Sequence, residues 1–173
     1  GKPHLVDAPI PLQFSLSHSG GWMACAVALE APVGVDLEAH DPRRDVMPIA
    51  RRFFREPECL ELAALEGEAR LQHFYDLWTL KEAYVKARGS SLARELETTG
   101  FRIDAAAQGL PVISPQPGAY NAFYCLLSSF PGYSLALCSL AVGVRAPRIR
   151  VLRLRESGTE QVMPGQLAAA SQG

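Results

Sequence analysis

The feature that most constrains the fold of this chain is a long helical pattern over residues 68–88, which stops at Gly89. A glycine directly after the last periodic residue is typical of a helix C-terminus. At about 100° per residue, apolar side chains recur along one side of the predicted helix. They are Leu71, Phe74, Trp78 and Val85. Any fold has to provide a core for this stripe.

Glu82 interrupts the apolar stripe, four residues after Trp78 and three before Val85. A buried carboxylate is costly unless it is paired, hydrogen-bonded or bound to a metal. Lys86 lies one turn further on, so an ordinary glutamate–lysine pair at the edge of an amphipathic helix also explains the pattern. The helix alone leaves both interpretations open.

Three short strands are predicted ahead of the helix. Residues 12–17 alternate apolar and polar, as a half-buried strand does, and residues 22–29 form a continuous apolar run suited to a buried strand. Residues 33–38 form the third, and the short links predict an antiparallel meander. On the third strand Asp36 and Glu38 face the same way. Taken alone, this pair is explained better by a solvated polar face than by a shared cation.

Together, Asp36, Glu38 and Glu82 could supply three oxygen ligands to one hard cation. Magnesium prefers a few carboxylates and completes its shell with water and substrate phosphates. Lys86 is placed to meet such a phosphate, and this combination suits phosphoryl-type transfer. The predicted turn at residues 17–20 adds hydroxyls, an imidazole and glycine, which can contact an anion, although a surface histidine in a turn is equally ordinary.

The remaining pattern predicts an α+β fold with an antiparallel sheet packed against helices. Asp41-Pro42 can begin a helix that reaches about residue 54, and Glu56-Pro57 can begin another that ends near residue 66. Strands are predicted at the ranges 100–103, 119–127, 133–144 and 148–155. Residues 12–155 are predicted to be one domain, residues 1–11 a linker, and residues 156–173 a disordered tail.

Composition excludes several classes. The 173 residues carry a net charge of −1, which argues against a non-specific nucleic-acid binder. No apolar run approaches the ~20 residues that span a bilayer, so no membrane association is expected. Four scattered cysteines without a C-x-x-C pair suggest reduced, partly buried thiols and a cytoplasmic location.

At this point the residues resemble a known family. The stretches FSLSHSGGW (residues 14–22), VGVDLE (residues 33–38) and FYDLWTLKEAYVKARG (residues 74–89) resemble those of 4′-phosphopantetheinyl transferases of the Sfp type, also called holo-acyl-carrier-protein synthases. The opening Gly1-Lys2-Pro3 resembles a further element. The last two stretches, in this order and spacing, are highly specific.

The resemblance implies a role for each matching position. Asp36, Glu38 and Glu82 would hold Mg²⁺, and Glu82 would also be the general base. Lys86 would contact the coenzyme A phosphates and stabilise the leaving group. Ser17, His18 and Ser19 would lie near the coenzyme's 3′-phosphate, and Lys2 and Pro3 along its nucleotide. Trp78 and Lys81 match further motif positions and would support the helix.

The implied reaction moves phosphopantetheine from coenzyme A to a serine of an apo acyl, peptidyl or aryl carrier protein in fatty-acid, polyketide or nonribosomal-peptide synthesis. Larger family members are pseudo-dimers of two halves, and this chain resembles the second half with little of the first. Truncation and oligomerisation are both compatible with its length. Two rivals stay open: a coenzyme- or carrier-binding fragment without turnover, and an unrelated magnesium phosphohydrolase.

Overall fold

The computed structural model describes residues 5, 9–90, 92–104, 112–116, 122–127, 131–140, 148–154, 160–163 and 167–170. The helices are α1 Met47–Phe53, α2 Glu56–Ala63, α3 Gly67–Arg88 and α4 Leu92–Thr98. The strands are β1 Leu12–Ser19, β2 Trp22–Leu29, β3 Val33–Ala39, β4 Phe101–Asp104, β5 Val112–Pro115, β6 Phe123–Leu127, β7 Tyr133–Ser139, β8 Val151–Leu154, β9 Glu160–Met163 and β10 Leu167–Ala170.

A six-stranded sheet in the order β3-β7-β6-β10-β5-β4 forms the centre of the fold. Adjacent strands of this sheet pair antiparallel, except that β10 and β5 pair in parallel, with Ala170 opposite Val112. Helix α3 packs on the face of β3 and β7. The predicted α+β class is therefore confirmed, with one parallel pairing that the sequence did not indicate.

Helix α3 follows the predicted boundaries closely, but its burial does not follow the predicted stripe. It ends at Gly89, whose φ of 66° is left-handed, and the Gly89 N–H bonds back to the helix. Trp78 is only half-buried, whereas Tyr75, Leu80 and Tyr84 are fully buried. Sheet packs on one side of the helix and α2 and α4 pack on others, and Phe53 of α1 contacts Trp78, so no single stripe describes it.

The predicted meander is only half formed. Strands β1 and β2 pair in full register, from Leu12 opposite Leu29 to Ser19 opposite Trp22. Strand β3 instead pairs with β7, from Val33 opposite Ser139 to Ala39 opposite Tyr133. Its other edge receives side-chain hydroxyls of β1 in place of a backbone ladder. Those hydroxyls satisfy an edge that would otherwise leave N–H groups unpaired.

Strand β2 was predicted to be buried throughout and is not. Ala26 is buried against Val33, Val35 and Leu37, but the alternate side chains point outward, and Met23 is 71% exposed. The exposed members are Met23, Cys25, Val27 and Leu29. A run without polar residues cannot show which of its two faces is covered, because strand side chains alternate. This apolar face borders a groove of about 530 Å³.

A buried ion pair joins α2, α3 and the segment that enters β4. Lys81 Nζ lies 2.8 Å from Glu58 Oε2 and donates to the carbonyls of Leu96 and Thr99. Glu58 in turn accepts from the backbone N–H groups of Arg55 and Phe101. Such a pair is stable in the interior only when its polar atoms are satisfied, as they are here.

Two further expectations need correction. Helix α1 begins at Met47 rather than Asp41, because the Asp41 carboxylate accepts from Arg43 N–H in a local turn. Residues 156–173, expected to be disordered, contain β9 and β10. The composition of residues 156–173 argues against a hydrophobic core of their own. A short strand, however, needs only a neighbouring strand with unpaired backbone N–H and C=O groups, and β9 pairs with β8 while β10 pairs with β5 and β6.

The four cysteines are free thiols, and Cys25 is exposed rather than partly buried. Among the residues that the structure describes, no helix combines the length and the apolar character needed to cross a bilayer.

Candidate active site

The site is built where β3 crosses α3 at unusually close range. A Cβ on Gly34 would lie 1.9 Å from the carbonyl oxygen of Ala83 and 2.5 Å from the backbone nitrogen of Ala87. Only glycine allows this contact, since real Cβ atoms do not approach backbone so closely. The strand residues that follow Gly34 on the same face are Asp36 and Glu38. The close crossing therefore brings both acids to the helix that carries Glu82 and Lys86.

Lys86 and Asp36 form the centre of the site. Lys86 Nζ lies 2.6 Å from Asp36 Oδ1 and donates to Ser17 Oγ at 3.1 Å. The Asp36 side chain is 4% exposed, whereas the Lys86 side chain is 29% exposed. The buried carboxylate thus has its charge balanced by a lysine that can still reach solvent.

Serines of β1 orient the acids of β3. Ser17 Oγ donates to Asp36 Oδ1 at 2.8 Å and accepts from Leu37 N–H, and Ser19 Oγ donates to Glu38 Oε2 at 3.1 Å and accepts from Ala39 N–H. Ser15 Oγ accepts from Val35 N–H in the same way. We call Ser15, Ser17 and Ser19 the serine ladder.

Burial and neighbouring carboxylates raise the proton affinity of Glu82 and Glu38. Burial first, then the neighbouring charges of Asp36 and Glu38, raise the pKa of Glu82 to about 7, although Lys86 opposes the shift. Burial and Asp36 likewise raise the pKa of Glu38, against the hydrogen bond from Ser19 and the charges of Arg44 and Lys86. A carboxyl that titrates near neutral pH is suited to accept a proton from a substrate.

The carboxylates of Asp36, Glu38 and Glu82 are the donors available to a hard cation. Asp36 Oδ2 is buried without a hydrogen-bond partner in the described part of the chain, and the negative charges of Asp36 and Glu38 act unfavourably on an ionised Glu82. The chemistry of these donors fits a divalent ion with oxygen ligands. Among the described residues, however, no group of three or more His, Cys, Asp or Glu side chains is close enough to hold a metal as placed. The predicted ligand set therefore stays a prediction.

The remaining predicted residues are placed differently. His18 alternates with Ser17 and Ser19 along β1 and is exposed, so it lies on the opposite side of the strand from the acids. Lys2 and Pro3 lie outside the described residues. Sequence reasoning missed Ser15 and the charge of Arg44 near Glu38. The period-two repeat of serine in β1 is the signal that could have revealed the ladder.

Comparison with known proteins connects this geometry to one family. The model of the 4′-phosphopantetheinyl transferase superfamily matches residues 32–138, which include β3 and all of α3. The chain is 32% identical over 142 residues to the 4′-phosphopantetheinyl transferase Sfp of Bacillus subtilis (strain 168), covering 80% of this chain and 59% of that protein. It is 34% identical over 156 residues to the 4′-phosphopantetheinyl transferase gsp of Aneurinibacillus migulanus, covering 90% of this chain and 62% of that protein.

A solved structure supports the fold. The crystal structure of a holo-(acyl-carrier-protein) synthase from Bacillus anthracis str. Ames, in complex with CoA (3′,5′-ADP), superimposes with a TM-score of 0.50 at 20% identity. The match covers 62% of this chain and 93% of that one. The chain spans about three fifths of the length of the two relatives named above, and most of the length of this synthase.

Proposed function

Because the chain belongs to the 4′-phosphopantetheinyl transferase superfamily, we propose that it transfers 4′-phosphopantetheine from coenzyme A to a serine of an apo carrier protein. The released product is adenosine 3′,5′-bisphosphate. The observation that carries the proposal is the meeting of Asp36, Glu38, Glu82 and Lys86 where β3 crosses α3, within the segment that the family model matches.

In the proposed reaction, Glu82 takes the proton of the carrier serine hydroxyl. The serine oxygen then forms a bond to the β-phosphorus of coenzyme A, and the bond from that phosphorus to the bridging oxygen breaks. In its ionised form the Glu82 carboxylate can accept this proton. Lys86, partly exposed, balances the charge that develops on the phosphate oxygens.

Asp36, Glu38 and Glu82 would hold Mg²⁺, which when bound supplies positive charge to the pyrophosphate. The serine ladder fixes the acceptor directions of Asp36 and Glu38 before any ligand arrives. Outer hydrogen bonds of this kind orient metal-binding carboxylates. The Lys86–Asp36 contact must then loosen, so that Lys86 can turn toward the phosphates.

For the coenzyme, we propose that His18 contacts the 3′-phosphate from the exposed side of β1, and that Lys2 and Pro3 lie along the nucleotide. Ser17 and Ser19 have their hydroxyl protons directed at Asp36 and Glu38, so their contribution to the coenzyme would be indirect. His18→Ala should raise the KM for coenzyme A about tenfold and leave the KM for 3′-dephospho-coenzyme A unchanged, consistent with about 1.4 kcal/mol for one phosphate contact. An equal effect on both substrates would contradict this role.

The carrier is proposed as an acyl, peptidyl or aryl carrier protein, and the reaction is placed in the cytoplasm in keeping with the four free thiols. Since the chain covers 59% of Sfp, activity of these 173 residues by themselves is a proposal of its own. If these residues prove inactive alone, we propose that a second copy of the chain or an additional N-terminal half completes the site.

The test is incubation with coenzyme A, Mg²⁺ and an apo carrier, followed by intact mass measurement of the carrier. We expect a mass gain of one phosphopantetheine. Glu82→Gln should abolish it, whereas Glu68→Gln, an exposed glutamate in the first turn of the same helix, should not. Coenzyme binding without transfer would favour a binding module instead. Phosphate release without a carrier would favour a hydrolase.

A further inference from the structure

A second polar cluster lies outside the candidate site, at the opposite end of the contact between β3 and α3. It consists of His40, Gln72, Asp76 and Ser134, and we call it the Ser134 cluster. Ser134 Oγ donates to Asp76 Oδ1 at 2.6 Å. His40 Nε2 lies 2.9 Å from Ser134 Oγ, and Gln72 Nε2 donates both to Ser134 Oγ at 3.2 Å and to Asp76 Oδ1 at 2.9 Å.

The hydroxyl of Ser134 has all of its hydrogen bonds committed. A serine has one proton and two lone pairs. The proton goes to Asp76, so both lone pairs accept, one from Gln72 and one from His40, and His40 must carry its proton on Nε2. Ser134 is also buried, at 2% exposure. It therefore cannot act as a nucleophile, because the imidazole donates to its oxygen instead of removing its proton.

The Ser134 cluster joins β7, α3 and the end of β3 beside Glu38. Ser134 is the register partner of Glu38 across the β3–β7 ladder. His40 directly follows β3, stacks on Tyr75 of α3 at 4.8 Å, and is followed by Asp41, whose N–H donates to the Tyr75 hydroxyl. The end of β3 is thus bonded to the first half of α3, while at the start of β3 Gly34 lies in close contact with the backbone of Ala83 and Ala87.

The close contact at Gly34 and the hydrogen bonds at His40 and Asp41 limit how far β3 can slide or tilt along α3. Asp36 and Glu38 lie between them on the strand, and Glu82 is on the same helix. We propose that Ser134, with His40 and Asp76, is a positioning residue that sets Glu38 relative to Glu82 for binding of a divalent cation. This inference rests on the proposed function, because it concerns the cation site of that reaction.

The experiment measures Mn²⁺ binding to the whole 173-residue chain by the electron paramagnetic resonance signal of free Mn²⁺. Ser134→Ala should raise the Kd up to about tenfold, the lower end of the effect of losing a direct hydrogen-bond partner of a metal ligand, because Ser134 bonds to His40 and Asp76 and acts on Glu38 only through the position of β3. The matched control is Ser139→Ala, a buried serine on the same strand whose register partners are Val33 and Phe123. It should leave the Kd within about twofold.

His40 provides a second route that does not create a space in the core, since it is only half-buried. His40→Ala should weaken Mn²⁺ binding, and His40→Gln, whose amide can still donate to Ser134, should restore most of it. All measurements are made well below the melting temperature of each variant, so that global destabilisation does not enter. If Ser134→Ala and His40→Ala both bind Mn²⁺ as the wild type does, the positioning role is wrong. If the wild type binds no Mn²⁺, the cation site of the proposed function fails first, and this inference with it.

Discussion

Lys81 and Lys86 lie five residues apart on α3, and both occupy positions that resemble the family motif, yet the fold gives them opposite surroundings. Lys81 is 0% exposed, pairs with Glu58, and lies 4.9 Å above the ring of Phe54. Lys86 is 29% exposed and pairs with Asp36. Burial lowers the pKa of Lys81, and the charge of Glu58 opposes that shift.

The difference shows that a sequence motif specifies residue types, whereas the burial and the partners of each residue determine its role. Lys81 has its donors committed to Glu58 and to two backbone carbonyls, so it holds α2 and the segment before β4 on α3. Lys86 keeps access to solvent, and in the proposed reaction it exchanges its partner for a phosphate. One lysine is structural, and the other is the one that we propose for the chemistry.

The largest effect is expected when the structural lysine is removed. Lys81→Ala leaves Glu58 buried and uncompensated, which should cost about 3–5 kcal/mol of unfolding free energy. Urea denaturation measures this loss. The double variant Lys81→Met with Glu58→Gln removes both charges and keeps one of the two acceptors, since Arg55 and Phe101 donate to different oxygens of Glu58, so it should recover part of the stability. A fully stable Lys81→Ala would refute the structural role.

Removing the other lysine should affect activity more than stability. Lys86→Ala should reduce transfer about 10²- to 10³-fold, the usual loss when one charge-stabilising group is removed. Its unfolding free energy should fall by only about 1–2 kcal/mol, because Lys86 is 29% exposed and water can enter the space it leaves to solvate Asp36, whereas Lys81 is enclosed. Carrier modification rates and urea denaturation separate the two effects. If Lys86→Ala were as unstable as Lys81→Ala, the contrast between the lysines would disappear.

The pKa of Glu82 predicts a stability effect with a definite sign. Since its folded pKa of about 7 exceeds its ordinary value of 4.5, ionising Glu82 opposes folding. The associated stability is fully present below pH 4.5 and is lost as the pH rises through 7. Without metal, Glu82→Gln should therefore be more stable than the wild type at pH 8, on the order of 1–3 kcal/mol, and the gain should shrink at pH 5. Thermal melts at both pH values, with Glu68→Gln as control, measure this difference.

The smallest effect is expected for a conservative change at the exposed lysine. Lys86→Arg keeps the positive charge at a partly open position, so transfer should remain within about tenfold of the wild type, or roughly 1.4 kcal/mol. The same change at Lys81 has no space and should destabilise by about 1–3 kcal/mol. Equal tolerance at both positions would contradict the difference in burial.

The boundaries of local elements could be predicted where the residues themselves carry the signal. Gly89 ended α3 as expected, and β2 has the predicted bounds. The predicted start of α1 is too early, because either Pro42 or Pro48 fits the first turn of a helix. In the structure the local turn at Asp41 excludes the first of these, and α1 begins at Met47. The sequence also gave no sign of β10, since pairing with β6 and β5 depends on strands distant in the chain.

For the site, the sequence by itself determined which groups are available: three carboxylates and a lysine, carried by a strand with a preceding glycine and by a long helix. Their alternation and helical spacing follow from backbone geometry, which is local. Only the tertiary structure decided that Lys86 meets Asp36, that serines rather than a neighbouring strand cover the edge of β3, and that Lys81 is buried against Glu58. These outcomes depend on long-range packing and on which charges lose their water, and neither quantity can be read from residue order.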